Sequence, residues 1–160
     1  MAFDCFLKLG DIDGEAKDDT YRDWIDVLSW SWGLSQSGTM SMGGGGGAGK
    51  VNVQDLSITK YVDSSSTNCY LKCCNGKHYD EAKLIVRKAG EFPVEYMKIT
   101  MQEVLISSIS SGGAGGEDRV TENVTMNFAK VKVEYTPQAP DGSPEAVMDA
   151  GWDIEGNVQL

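Results

Sequence analysis

The chain of 160 residues contains a single histidine, four prolines and four cysteines, and it has no apolar run long enough to cross a membrane as a helix. Each shortage removes a class of protein. With His78 as the only imidazole, nucleophilic catalysis has one possible histidine base, and a zinc site would have to draw on Cys5, Cys69, Cys73 and Cys74, whose spacing lacks the paired C-x-x-C of a ligand set. The same four thiols do not read as a disulfide framework, because Cys73 and Cys74 are adjacent and Cys5 lies far away in sequence. Cations are also scarce. Lys plus Arg number 14 against 24 Asp plus Glu, a formal net charge of -10 that repels phosphate backbones and anionic lipid surfaces. Neither nucleic acid nor a membrane is an expected partner. The opening MAFDCFLKLGDIDGE carries Asp4 where a leader would be basic, so folding in the cytoplasm and any export without a cleaved leader are expected.

What the chain does have is period-two alternation, the mark of half-buried strands. From Asp26 to Gln36 it sets Leu28, Trp30, Trp32 and Leu34 on one face and Ser29, Ser31, Gly33 and Ser35 on the other. The large apolar side chains are expected in the core. Strand-like runs also cover Phe3 to Leu9, Val51 to Tyr61, Ala82 to Lys88, Val94 to Ser107, Val120 to Tyr135 and Gly151 to Val158, giving six to eight strands in all. Two runs change phase partway. Val51 and Val53 give way to Leu56 and Ile58, and Val124, Met126 and Phe128 give way to Ala129, Val131 and Val133, so a bulge or bend is expected at each shift. One helix is predicted from about Ser65 to Asn75, capped by Ser64, Ser65 or Ser66 and ended by Gly76, with Leu71, Cys74 and Tyr70 as its buried stripe. The length suits one domain, residues 1–160, and the fold class is all-β with one short helix.

No motif carries catalysis. Gly44 to Lys50 satisfies the G-x-x-x-x-G-K core of a phosphate loop, but Val51 replaces the magnesium-holding hydroxyl and a strand pattern follows where a helix is required. The acids from Asp11 to Asp19 miss the calcium-loop spacing. Ser107 to Ser111 lacks the nucleophile elbow, and His78 reads as a polar residue at a helix C-terminus. No cofactor and no metal are expected. Glycine-rich stretches at Gly38 to Gly49 and Gly112 to Gly116 lack the side chains to pack by themselves and are expected to gain order against a partner.

Taken as a set, D-x-F-x-K-x-G-D from Asp4, IDVLSWSWG from Ile25, MGGGGGAGKVNVQDLS from Met42, CCNGKHY from Cys73, LIVRKAG from Leu84, SSGGAGGEDRVTENVTMNFAKVKVEY from Ser110 and the late GWDI resemble the hemolysin-coregulated proteins of type VI secretion, in order along nearly the whole chain. The resemblance implies a β-barrel-like pair of sheets similar to phage tail-tube proteins. It implies homohexameric rings that stack into the inner tube, engage sheath and spike components, leave the cell, and carry or chaperone effector proteins in the lumen, with no enzymatic activity of the chain's own. Within that setting Ser29, Ser31 and Ser35 are expected on the lumen or effector side. Met40, Met42, Gly43, Gly44, Gly45, Gly46, Gly47 and Lys50 are expected in a ring-stacking or subunit-contact loop. The competing reading is a small-ligand-binding β-barrel module without catalytic activity, which requires an apolar cavity.

Overall fold

The structure, a computed structural model, describes residues 2–38, 49–90 and 93–160. Among them the chain forms β1 (Phe3–Leu9), β2 (Ile25–Asp26), β3 (Ser29–Ser31), β4 (Leu34–Ser35), β5 (Asn52–Val53), β6 (Leu56–Tyr61), α1 (Ser66–Asn75), β7 (Tyr79–Lys88), β8 (Glu95–Gly112), β9 (Thr121–Tyr135), β10 (Met148–Asp153) and β11 (Val158–Gln159). The all-β class with one short helix is therefore observed. Strands are more numerous than the alternation predicts because three of its runs break. The run from Val51 splits into β5 and β6 at its phase change, the run from Asp26 into β2, β3 and β4, and the last into β10 and β11.

Antiparallel pairing gives the path β11-β10-β9-β8-β7-β1-β2, with β6 joined to β9 and β3 to β6, while β4 and β5 pair separately. The path does not close into a hydrogen-bonded cylinder. Its barrel-like character comes from the segment Ile25 to Ser31, which leaves β1 for β6: Val27 N–H donates to the Cys5 carbonyl and Leu28 N–H to the Thr59 carbonyl. That exchange of partner reverses the facing of the chain. Val27 is buried, Leu28 is 49% exposed and Trp30 turns inward to half-burial, so the expected core set fails at Leu28. It fails again at Leu34, 56% exposed, because β3 stops at Ser31 and the Trp32 indole donates to the Gln54 carbonyl at 2.9 Å, ending the run beside the β5–β6 corner.

The two longest strands each serve two neighbourhoods. β9 pairs with β6 from Thr121 to Met126 and with β10 from Lys130 to Tyr135. β8 pairs with β7 only as far as Val104, so among the described residues Leu105 to Gly112 is bonded on one side alone. The ladder between them steps from Gln102 opposite Lys130 to Val104 opposite Phe128, with Glu103 in the left-handed region at φ 56°. Burial shifts phase there in both strands, from Ile99 and Met101 to Val104 and Ile106, and from Phe128 to Val131. This is the second bend that the sequence demands, and a bulge at Ser107 follows.

Helix α1 ends as predicted, Gly76 at φ 66° donating its N–H to the Lys72 carbonyl. Its buried stripe is different: Ser66 and Cys69 are buried and Cys73 packs on the core, whereas Leu71 is 58% exposed and Cys74 is exposed. Polar bonds at the first turn rotate the helix. Ser66 and Tyr70 reach the buried Glu122 carboxylate, which points those residues, rather than Leu71, at the sheet. No serine side chain caps the start; the Asp63 carboxylate accepts the Ser65 N–H at 2.9 Å instead.

Candidate functional site: a neutral polar sheet face

Across β3, β6, β9 and β8 the registers align two rows of side chains on one face. Ser31, Ser57, Thr125 and Ser108 form the first, and Ser29, Thr59, Asn123 and Ser110 the second. The facing is dictated from behind, where Trp30, Ile58, Val124 and Ile109 alternate with them and pack on the core. All eight row positions are uncharged hydrogen-bonding side chains. Thr59 Oγ1 donates to Asn123 Oδ1 at 2.6 Å, and Thr125 Oγ1 lies 2.7 Å from Ser107 Oγ and 2.6 Å from Ser108 Oγ.

Among the charged residues that border the rows, Asp55 and Arg119 are engaged within the protein. Asp55 accepts from Ser107 at 2.6 Å and from Asn127 at 2.8 Å, while the Arg119 guanidinium lies 3.9 Å over the Tyr61 ring. Directly beneath, Lys60 and Glu122 are buried as an ion pair that also takes in Ser66, Tyr70 and Asp63. This pair escapes a reading by composition, yet both residues fall on the apolar phase of their strands, Lys60 with Leu56 and Ile58, Glu122 with Val124 and Met126. That phase is the signal for finding them.

Of the serines expected on one face, Ser29 and Ser31 head the two rows, and both are exposed. Ser35 is exposed but sits on β4 opposite Asn52, in the separate two-stranded sheet, so it does not join them. The six remaining row members were not singled out by sequence, because alternation assigns a residue to a face but not to a neighbouring strand. Met40, Met42, Gly43, Gly44, Gly45, Gly46 and Gly47 lie outside the described residues; Lys50 is exposed just before β5. A strand rather than a helix follows Lys50, which leaves the phosphate-loop pattern without its anion-binding helix terminus.

Elsewhere, His78 is exposed in an open polar cleft beside Asp11, Lys72 and Glu81. Among the described residues no group of three or more His, Cys, Asp or Glu converges to hold a metal ion. Burial pushes the Cys5 thiol up to about 12 and the Cys69 thiol up to about 11, which keeps both protonated and poorly nucleophilic. Between the β4–β5 pair and β9–β10 lies an open apolar cleft of about 530 Å³, lined by Trp32, Val53, Val131, Val133 and Trp152. It opens beside the sheet rather than inside a closed barrel.

Fold and face together define a structural β-protein that displays a broad uncharged surface on a rigid, cross-bonded sheet. The family model for "Type VI secretion system effector, Hcp" matches residues 6–135. Protein hcp1 of Pseudomonas aeruginosa is 62% identical over 161 residues, covering 99% of each chain. Among solved structures, one described as a type six secretion system protein superimposes with a TM-score of 0.94 at 29% identity, over 99% of this chain and 100% of that one. Hcp1 from Salmonella typhimurium superimposes with a TM-score of 0.80 at 34% identity, again over 99% of this chain and 100% of that one. The chain belongs to the Hcp family, and is a type VI secretion tube subunit.

Proposed function

We propose that this single domain assembles as a closed homohexameric ring, that rings stack into the inner tube, and that the face headed by Ser29 and Ser31 lines the channel through which effectors are carried or chaperoned. The observation that carries the reading is the pair of uncharged rows. A channel that must pass varied cargo needs hydrogen-bonding groups without a strong field or an adhesive apolar patch, and Ser, Thr and Asn supply them. The one-sided edge Leu105 to Gly112 supports assembly, since an exposed strand edge invites pairing and identical copies joined head to tail close on a cyclic axis. The stacking or subunit contact is assigned to Met40 through Lys50, with sheath and spike components meeting the assembled tube. Ser35, exposed on β4 apart from the rows, is the third proposed lumen or effector contact. The subunit folds in the bacterial cytoplasm, is secreted from the cell and has no enzymatic activity of its own.

Native mass measurement and electron microscopy of the purified protein test the ring, and a strictly monomeric species at micromolar concentration overturns it. Replacing Ser31 with Arg keeps the ring and alters which effectors are stabilised and exported. Unchanged export with an intact ring removes Ser31 from the channel. Deleting Gly43 to Gly47 spares the fold and impairs stacking or secretion; normal secretion would reduce that loop to a linker.

A further inference from the structure

We propose that the two rows form a hydrogen-bonding seat for an uncharged polypeptide segment of cargo, one rich in Ser, Thr, Asn or Gln. The proposal rests on the reading of this face as the channel lining, and adds to it the chemistry of what is held there. Charged residues make up 24% of the chain and its net charge is -10, yet none of the eight row positions is charged. At the border Asp55 is held by Ser107 and Asn127, and Arg119 lies over the Tyr61 ring in a cleft it shares with Glu15, Lys17, Asp26 and Asp63. A lysine- or glutamate-rich segment laid on this face would lose hydration and meet no counter-charge.

An uncharged segment meets the opposite situation. The centre of the seat is already bonded internally through Thr59 with Asn123 and Thr125 with Ser108, which holds it rigid. Around that centre the hydroxyls of Ser29, Ser31, Ser57 and Ser110 bond to no side chain among the described residues, and three of them sit together where β3 meets β6. Each hydroxyl offers one donor and two acceptor sites, so it serves an N–H or a C=O equally. Spacing adds a second match. Successive same-face residues on a strand repeat about every 7 Å, and an extended cargo segment running along β3 and β6 repeats its own side chains at the same interval. Such a segment meets Ser29 and Thr59 side by side, then Ser31 and Ser57, in step.

The test uses assembled rings and three fluorescein-labelled peptides of equal length, one of Ser and Asn, one of Ser and Lys, one of Ser and Glu, followed by anisotropy. The Ser and Asn peptide binds best, and its affinity changes by less than about twofold between about 50 mM and about 500 mM NaCl, a range over which screening collapses charge-driven binding. Removing one open hydroxyl, as in Ser57→Ala or Ser110→Ala, weakens it by about fivefold, the fold-change of one net hydrogen bond. Ser57→Asp turns the preference to the Lys peptide and makes it salt-sensitive. Rings that hold the uncharged peptide no better than the charged ones, or hold it equally after both alanine substitutions, overturn the seat while leaving the channel standing. Failure to form rings overturns the channel reading instead.

Discussion

Lys60 and Glu122 stand opposite each other across β6 and β9 and meet as an ion pair, 1% and 0% exposed, directly behind the row that carries Thr59 and Asn123. Both groups are fully surrounded: the three N–H groups of Lys60 Nζ are shared among Glu122, Asp63 at 3.1 Å, Ser66 at 3.2 Å and the Tyr61 carbonyl at 3.0 Å, and Glu122 accepts from Ser66 at 2.6 Å and Tyr70 at 3.0 Å. Truncating Lys60 strands Glu122 as a buried charge, whereas truncating Glu122 leaves Lys60 paired with Asp63. Lys60→Met therefore destabilises by about 3–5 kcal/mol and Glu122→Leu by less, while the double replacement recovers part of the Lys60→Met loss. Urea unfolding of the three variants checks this. Additive losses in the double variant would show that the two charges act separately.

The pair also shows how far the sequence reaches. Alternation places Lys60 in phase with Leu56 and Ile58, and Glu122 in phase with Val124 and Met126, so each is legible as inward-facing. Their meeting is not legible, because it depends on the register of β6 against β9. The same limit governs the polar face: Ser29 and Ser31 are readable as a face, but that Ser57, Thr125 and Ser108 continue the row of Ser31 is a fact of pairing. Leu28 and Leu34 show a second limit. An alternating run is a reliable guide only while the chain keeps one partner, and this one changes partner at Val27 and Leu28.

Arg87 binds the 11–24 loop to the sheet, donating to Asp18 at 2.7 and 3.0 Å and to Asp4 at 2.9 Å while lying over the stacked Phe6 and Tyr21 rings. The hydrogen bonds from Arg87 are the main cause that lowers the Asp18 carboxyl from 3.8 to about 2. Its depressed pKa means that the stabilisation is complete above 3.8 and is lost as pH falls toward 2. Arg87→Ala is thus less stable than the parent at neutral pH, and the gap narrows through that acid window. Thermal unfolding across the window checks it; a gap that stays constant would assign the loss to ring packing alone.

Thiol reactivity should follow burial. Cys74 is exposed and reacts with iodoacetamide in the native protein, whereas Cys5 and Cys69, with raised pKa values and little access, react only after unfolding. Peptide mass mapping after a timed pulse separates them. Early modification of Cys69 would mean that the helix detaches from the sheet.

At Gly14 the backbone leaves no room for a side chain. An added Cβ would lie 2.5 Å from the Trp24 carbonyl oxygen and 2.7 Å from the Ile25 Cα, both backbone atoms. Gly14→Ala therefore displaces the loop and destabilises by about 2 kcal/mol or more. A melting temperature equal to that of the parent would show that the loop shifts without loss.

Because β8 and β9 are the two longest strands and their ladder runs from Met97 opposite Tyr135 to Gly112 opposite Thr121, they also decide how the subunit answers to force. Thrust directed along those strands loads their ladder in shear, with the transverse hydrogen bonds strained together rather than one after another. The short β10–β11 pair, two residues deep, would instead peel open from its end. A subunit built around that long ladder is stiff in the direction of its strands and compliant at its C-terminal margin.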